Sequence, residues 1–438
     1  MTLELEQTPI TLTPNYLEAT PLDREEISPA RLNIENKERS NLFPWNGQFS
    51  PQFIEALLER YANQETKIID PFCGSGTVLA EASRLGLAAT GLEINPAAYI
   101  LARTYSFCNI SPTKRQNVLD VVEARMKDVL FKEGPLFMAP DTKSVGVCQQ
   151  ELISLHDKAT IDERKVLEPL IILADFFKGV DSLKLARTWG KLRQVIEALP
   201  YNSNHIDVIH GDARFLDFHN QFDLVLTSPP YINVYNYHQQ YRASAEALGW
   251  DLLEVARAEI GSNRKHRGNR FLTVIQYCLD LTLALHSLWT ATSEKARLIF
   301  VLGRESRVRG VQFLNGEIAA CLAVEAVGYR LLLRQERVFT NRFGQRIYED
   351  ILHFTKGPGL LAGSQERARK VAHFILQQAL TQASEKPIID DIDDAIEKVD
   401  IISLSPHLVI DTPSKDKISN DNLPYTTSRK IKRHFRKR

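Results

Sequence analysis

The 438-residue sequence has few cysteines, no long apolar run and no excess charge of either sign. Its five cysteines show no CxxC spacing and no zinc-like pattern with histidine, so we expect neither disulfides nor a structural metal. It has no basic, apolar leader and no run of about 18 apolar residues, which predicts a soluble, cytoplasmic protein. Because 54 basic residues balance 54 acidic ones, any nucleic acid would be bound by a local basic surface.

What the sequence does contain is an alternation of strand and helix patterns, which predicts an α/β fold with a mostly parallel sheet. The alternation occupies residues 42–110 and 205–357, where the last two strand patterns predict an antiparallel pair. Residues 111–204 are mostly helical in periodicity and form an insertion. Residues 1–41 are predicted to be a partly disordered leader, and residues 358–438 a helix followed by a charged, disordered tail.

A glycine loop lies between two predicted strands in "IIDPFCGSGTVLAEASRLGLAATGLEI". Asp70 ends the first strand, Gly74 and Gly76 lie in the loop, and Glu93 ends the second strand. Such a unit lets the backbone approach a nucleoside-bearing cofactor, and Glu93 can accept hydrogen bonds from both ribose hydroxyls. The third glycine of the dinucleotide pattern is missing, since Thr77 opens the helix, which favours a cofactor without a pyrophosphate.

"DPFCGSGT", followed later by "TSPPY", resembles the S-adenosylmethionine-dependent methyltransferases that modify exocyclic amino groups of DNA bases, the N4-cytosine and N6-adenine family. "FPWNGQFSP" is also similar to that family's N-terminal cofactor motif. The resemblance covers roughly residues 43–110 and 205–356. It implies a Rossmann-like methyltransferase fold, S-adenosylmethionine as cofactor and double-stranded DNA with a flipped base as partner; a cognate restriction endonuclease is a further candidate partner.

The resemblance also implies roles for individual residues. Asp70 and the loop at 72–77 would hold the methionine portion of the cofactor, Glu93 its ribose, and Asp212 of "HGDAR" its adenine amino group. Phe49 and Ser50 would close the pocket from the N-terminal side. The implied cofactor-binding set is Phe49, Ser50, Asp70, Phe72, Gly74, Ser75, Gly76, Thr77, Glu93 and Asp212.

The catalytic loop implied by the resemblance consists of Ser228, Pro229, Pro230 and Tyr231. An exocyclic amino group is a poor nucleophile because its lone pair is delocalised into the ring, so acceptors on its N–H bonds would assist transfer. The Ser228 hydroxyl and the Pro229 carbonyl can be these acceptors, and Tyr231 can stack on a flipped base. No cysteine follows a proline, which disfavours methylation at a ring carbon.

The target base is predicted from the serine of "SPPY", which in this family is more often found in N4-cytosine enzymes. N6-adenine is the alternative. An RNA or tRNA guanine-N2 methyltransferase is a second alternative, because similar "DPFCGSGT" loops occur there, although its usual "NPPY" or "DPPY" is absent. A non-catalytic protein that keeps the fold is disfavoured by the intact motifs.

Contacts with DNA are expected from the basic stretch "SNRKHRGNR", through Arg264, Lys265, Arg267 and Arg270, unless it is only a solvated loop. Tyr235, Tyr237 and Tyr241 are candidates for stacking or for packing, and His238 is expected to be structural because it has no evident partner. The 111–204 insertion is a target-recognition or lid candidate, although it precedes "HGDAR".

Overall fold

A computed structural model describes residues 15–130, 145–202, 204–232, 236–261, 266–341 and 344–408. The strands are β1 Lys67–Asp70, β2 Ala88–Glu93, β3 Ile206–His210, β4 Phe222–Thr227, β5 Thr292–Gly303, β6 Glu305–Val308, β7 Val311–Leu314, β8 Tyr329–Thr340 and β9 Arg346–Lys356. The helices are α1 Tyr16–Ala19, α2 Pro29–Asn33, α3 Pro51–Tyr61, α4 Thr77–Arg84, α5 Pro96–Arg103, α6 Pro112–Leu130, α7 Val145–Asp157, α8 Ile161–Ala174, α9 Ser182–Ala198, α10 Arg242–Ala247, α11 Leu252–Ala258, α12 Leu272–Ala291, α13 Asn315–Cys321, α14 Ser364–Gln382 and α15 Lys386–Glu397.

Seven strands form one sheet in the order β3-β2-β1-β4-β5-β9-β8. The first five in this order pair in parallel, while β9 pairs antiparallel with both β5 and β8. The predicted α/β fold, with its terminal antiparallel hairpin, is therefore confirmed. The strand order reverses between β1 and β4, and ligands of open α/β sheets gather at the carboxyl ends of strands around such a point.

Helices cover both faces of the sheet, which explains why its central strands are apolar almost throughout. Along β4 every residue except Asp223 is buried. One face carries α3, α4 and α5, and the opposite face carries α12, which is apolar on nearly all sides because α14 covers it from outside. The carboxyl ends of the central strands, where the motifs lie, are thus held between two hydrophobic clusters.

The helical insertion, α6 to α9, packs on the α5 side of the sheet and shares its hydrophobic cluster. Arg115 of α6 is buried and donates to the carbonyls of Ile110, Ile196, Leu199 and Pro200, which ties the two ends of the insertion together. The insertion is therefore continuous with the core of the α/β sheet.

The leader and the acidic segment are more ordered than expected. Leu17 and Leu32 of the leader are buried, and the Glu317 carboxylate accepts hydrogen bonds from backbone N–H groups at the start of α1. The acidic run "DDIDDAIE" belongs to α15, where Ile392 and Ala395 are buried against α14. Its isoleucines recur at helical spacing, a pattern that the charge run obscures. Residues 1–14 and the basic end beyond residue 408 lie outside the described residues.

No helix in the described part of the chain is long and apolar enough to cross a membrane. The same residues contain no group of three or more histidine, cysteine or acidic side chains arranged to hold a metal ion. All five cysteines are described, and each is buried as a free thiol.

Candidate active site

A cavity of about 370 Å³ opens where β1, β2 and β4 end, and both sequence motifs contribute to its wall. Among the residues predicted to bind the cofactor or to act in catalysis, the cavity is lined by Phe49, Asp70, Phe72, Gly74, Ser75, Thr77, Glu93, Asp212, Ser228, Pro230 and Tyr231. Ser50, Gly76 and Pro229 are not among the lining residues. The two motifs, more than 150 positions apart in the sequence, thus meet in one site.

The two glycines of the loop have different roles. Both have positive φ, 52° at Gly74 and 87° at Gly76, which favours glycine at each position. A Cβ on Gly74 would lie 3.2 Å from the Trp45 ring, at the cavity wall. A Cβ on Gly76 would lie 2.9 Å from the ring of Tyr105, so the lack of a side chain at Gly76 makes room for Tyr105. The sequence had suggested that it makes room for a cofactor.

Glu93 is fixed by backbone donors. Its Oε2 accepts a hydrogen bond from Gly74 N, and its Oε1 accepts one from Asn95 N, both at 2.8 Å. Burial raises the pKa of Glu93 to about 7, against the opposing effect of these two N–H groups. Each carboxylate oxygen keeps a second lone pair, so Glu93 can still accept from a ribose hydroxyl while it orders the glycine loop.

Asp70 connects the carboxyl ends of β1 and β4. Its Oδ1 accepts a hydrogen bond from Thr227 Oγ1 at 2.6 Å and from Phe72 N at 3.2 Å. Burial raises the pKa of Asp70 to about 7. Thr227 directly precedes Ser228, so this bond sets the start of the catalytic loop relative to the cofactor loop.

The segment before α3 covers the glycine loop through side-chain hydrogen bonds. Ser75 Oγ donates to Gln48 Oε1, and Thr77 Oγ1 donates to Asn41 Oδ1, both at 3.0 Å. Ser50, predicted to close the pocket, instead accepts a hydrogen bond from Arg337 of β8. Its position at the N-cap of α3 turns its side chain away from the cavity towards the hairpin.

Aromatic residues join this segment to the chain that follows the catalytic loop. Trp45 stacks on Tyr237 with nearly parallel rings, and on Tyr241, with centroids 6.4 Å apart in each case. Gln240 adds hydrogen bonds to the backbone at Pro44 and Asn46. Tyr237 therefore packs at the cavity and Tyr241 packs on Trp45, whereas Tyr235 lies outside the described residues.

Asp212 lines the cavity, but its carboxylate is already in a buried ion pair. Arg214 Nε donates to both Asp212 oxygens at 3.0 and 3.1 Å, and Arg214 Nη2 donates to Oδ2 at 2.6 Å. Arg214 also contacts Asp280 and the carbonyl of Ser405. Asp212 is thus held rigidly, and any adenine amino group would have to use its remaining lone pairs.

The catalytic loop brings two hydroxyl groups together. Ser228 Oγ and Tyr231 Oη lie 3.0 Å apart, and either one can be the donor. A Cβ on Gly303, at the end of β5, would lie 3.3 Å from the Tyr231 ring. Pro229 is buried and Pro230 lines the cavity. The loop therefore presents a serine oxygen and one aromatic face to the same space.

Several lining residues were not identified from the sequence. The hairpin β8–β9 contributes Phe339, Ile347 and Glu349, and the segment after α11 contributes Glu259. Glu349 accepts a hydrogen bond from Arg337 at 3.0 Å. Nothing local in the sequence indicates these residues, because only the sheet order brings the hairpin beside β5.

His238, expected to be structural because the sequence shows no partner for it, has a partner in the structure. Its Nδ1 lies 2.8 Å from Glu259 Oε2, and both side chains are buried. The two residues are separated by a helix pair, α10 and α11, so their contact depends on tertiary packing.

The predicted DNA-binding residues are only partly described. Arg264 and Lys265 lie outside the described residues. Arg267 is exposed and Arg270 is half-buried, and neither lines the cavity. No described residue of the 111–204 insertion lines the cavity either.

The charges of the cavity decide which class of cofactor fits it. Five carboxylates line it, namely Asp70, Glu93, Asp212, Glu259 and Glu349, whereas no lysine or arginine of the described ranges does so. Asp212 and Glu349 are paired with Arg214 and Arg337, and the other three carboxylates disfavour a pyrophosphate and favour a ligand with positive charge and hydroxyl donors. S-adenosylmethionine, with its sulfonium, ammonium and ribose hydroxyl groups, fits these residues.

Comparison with known proteins identifies similar sequences. The sequence model of a DNA methylase family matches residues 22–103, which begins inside the predicted leader. Type II methyltransferase M.BsoBI of Geobacillus stearothermophilus is 25% identical over 292 residues, 51% of this chain and 56% of that protein. M.MjaII of Methanocaldococcus jannaschii is 37% identical over 73 residues, and M.MvaI of Kocuria varians is 31% identical over 110 residues. These two matches cover 14% and 24% of the relatives, and 16% and 24% of this chain.

A solved S-adenosylmethionine-dependent methyltransferase from Methanosarcina mazei is 11% identical, with a TM-score of 0.31, over 69% of this chain and 97% of that one. The chain spans between 14% and 56% of the length of the curated relatives it matches. The DNA methylase match implies S-adenosylmethionine as the cofactor. The resemblance drawn from the motifs is confirmed: this chain is related to the S-adenosylmethionine-dependent DNA amino-methyltransferases.

Proposed function

We propose that this protein is a site-specific DNA methyltransferase that transfers a methyl group from S-adenosylmethionine to the N4 amino group of cytosine. The observation that carries the proposal is the single cavity lined by both the glycine loop and Ser228-Pro-Pro-Tyr231. A binding protein would need only the first motif. The second motif adds acceptors at the place where an amino group would meet the cofactor.

The bound cofactor supplies an electrophilic methyl group on its sulfonium. The residues of the chain have three tasks around it. Glu93 and Asp70 hold the cofactor end of the cavity, where their backbone partners keep them in place without any ligand. Their negative charge also favours a cation over its neutral product.

The second task is to activate the amino group. If Ser228 donates its own proton to Tyr231 Oη, 3.0 Å away, its lone pairs are free to accept an N–H from the base. An acceptor on the N–H would draw the nitrogen lone pair out of the ring as the N–C bond forms and the S–C bond to the methyl group breaks, which is stabilisation specific to the transition state. The methylated nitrogen would then release one proton to solvent.

The third task is to hold a base that has left its duplex. Tyr231, whose hydroxyl lies 3.0 Å from that of Ser228, lines the cavity together with Phe339 and Ile347 of the hairpin, so its wall is partly aromatic and apolar. Base stacking on such a wall offsets the cost of unstacking, which is a few kcal/mol. The preference for cytosine over adenine depends on the serine of the motif, and N6-adenine is the alternative.

The test uses the purified protein with unmethylated plasmid DNA and S-adenosylmethionine carrying a deuterated methyl group, followed by digestion to nucleosides and mass spectrometry. We expect deuterated N4-methylcytosine with the wild type and none with Ser228→Ala. Deuterated N6-methyladenine instead would keep the reaction and change the base. Label in neither base, but in guanosine of total RNA treated in parallel, would replace DNA by RNA as the substrate.

A further inference from the structure

We infer that Glu259 is a further cofactor-binding residue, which accepts a hydrogen bond from the nucleoside part of S-adenosylmethionine, and that His238 is the residue that positions it. This inference rests on the proposed function. No motif of the sequence includes Glu259, and it follows α11 at a distance of 28 positions from Tyr231.

The first observation is an unsatisfied acceptor. Glu259 lines the cavity and is 7% exposed. Its Oε2 is bound by His238, whereas Oε1 is buried without a hydrogen-bond partner among the described residues. A buried carboxylate oxygen without a donor is destabilising, so a native structure normally supplies one. A ligand in the cavity can supply it.

The second observation locates that ligand group. Ala258, next to Glu259, accepts a hydrogen bond through its carbonyl from Arg214, which in turn holds Asp212. Burial, and then the charges of Asp70 and Glu259, raise the pKa of Glu93 against the two backbone N–H groups, so Glu259 lies near enough to act on Glu93. Glu259 therefore belongs to the part of the cavity between Asp212 and Glu93. In the proposed function these two residues bind the adenine and the ribose, both of which present O–H or N–H donors.

His238 explains how the free oxygen stays directed. Its ring is buried, and its contact with Glu259 fixes one carboxylate oxygen so that the other remains on the cavity side. Because His238 follows Tyr237, which stacks on Trp45, the same contact joins Glu259 to the segment that covers the glycine loop.

The test is calorimetric titration of the full chain with S-adenosylmethionine and, separately, with S-adenosylhomocysteine, which has the same nucleoside but no sulfonium charge. Glu259→Gln keeps the shape, but its amide directs N–H donors to the cavity when its oxygen pairs with His238. We expect both ligands to bind about 10-fold more weakly or worse. The matched control, Glu254→Gln, removes the charge of an exposed glutamate on α11 and should change neither affinity.

Unchanged affinity of Glu259→Gln for both ligands would overturn the inference, and so would weakening confined to S-adenosylmethionine, which would place the contact at the sulfonium. If the wild type binds neither ligand, the proposed function itself fails, which is a separate result.

His238→Ala and His238→Asn keep the inference testable if Glu259→Gln does not fold. Asparagine retains an N–H donor near the position of Nδ1, so its affinity should stay within about twofold of wild type while alanine loses several-fold. Equal affinities in the two variants would exclude a positioning role.

Discussion

The two ends of the cavity are held in place by different kinds of contact. At the cofactor end, Glu93 accepts hydrogen bonds from the backbone N–H groups of Asn95 and of Gly74 in the loop. Asp70 accepts one from the N–H of Phe72 and one from the Thr227 hydroxyl. At the transfer end, Ser228 meets Tyr231 side chain to side chain, and the remaining wall comes from a hairpin more than 100 positions later. The first end is held mainly by backbone N–H groups of one βαβ unit, with Thr227 as its link to β4, and the second depends on the whole sheet. The two ends should therefore respond differently to substitution.

The largest effect is expected at the transfer end. Ser228→Ala removes the hydroxyl acceptor and leaves the cofactor end intact, so we expect methyl transfer in a single turnover to slow by about 100-fold or more. The measurement is the rate of label incorporation into DNA at saturating cofactor. Ser293→Ala, at the amino end of β5 and away from the cavity, is the matched control and should react as the wild type does. Equal rates for the two variants would remove Ser228 from the mechanism.

Substitutions at the cofactor end should weaken the binding of the cofactor more than they slow methyl transfer. Glu93→Gln replaces one carboxylate oxygen with an amide donor, which opposes the N–H of Gly74 or Asn95 and removes a charge-assisted acceptor. We expect the dissociation constant of S-adenosylmethionine to rise by about 10- to 100-fold. Glu65→Gln, an exposed glutamate before β1, should bind normally. A Glu93→Gln variant that binds normally but does not transfer would reverse the assigned roles.

The raised pKa values predict how the stability of the ligand-free protein depends on pH. Burial raises the pKa of Asp70 from 3.8, and that of Glu93 from 4.5, to about 7. The folded state therefore binds more protons than the unfolded chain between these values, and this contribution to stability is present at low pH and lost as pH rises towards 7.

Asp70→Asn isolates this effect, because its amide cannot ionise. Between pH 5.5 and 7.5 the variant should gain about 2 kcal/mol of stability relative to the wild type, measured by denaturant unfolding at both pH values. A stability difference that is the same at both pH values would show that Asp70 ionises normally in the folded protein.

The smallest effect is expected where the segments of the two ends touch. Trp45→Leu removes the stacking of Trp45 on Tyr237 and Tyr241 but keeps an apolar side chain beside Gly74. An aromatic pair contributes about 1 kcal/mol, so cofactor affinity should fall about fivefold. Trp289 lies on α12 and contacts the ring of Tyr329 on β8. Trp289→Leu removes that aromatic contact and should leave the cofactor affinity unchanged. A 100-fold loss of cofactor affinity in Trp45→Leu would mean that Trp45 is a main binding residue. No loss of affinity would mean that it is only part of the core.

The sequence was most informative where the structure is local. The strand, loop and helix around Asp70 and Glu93 follow from periodicity and from glycine positions, and the terminal hairpin follows from two apolar runs. Gly76 was placed in the right loop, but its function was not evident, because its neighbour Tyr105 lies 29 positions later, in the turn after α5. Ser50 was assigned to the pocket by resemblance, while its contact with Arg337 needs β8 to reach α3.

Long-range contacts account for the remaining differences. Glu259, Phe339, Ile347 and Glu349 lie in segments without a motif, and each reaches the cavity through the fold. The sequence does not show that Glu259 is buried or paired, because its partner, His238, is 21 positions away. The structure resolves such pairings because they are set by packing.

The central claim is that one cavity contains both the cofactor site and the transfer site. A crystal structure of the protein with S-adenosylmethionine bound tests this most directly. The account predicts the ribose at Glu93 and the methyl carbon facing Ser228 and Tyr231. A cofactor bound in this cavity with its methyl group turned away from Ser228, or bound elsewhere on the protein, would contradict it.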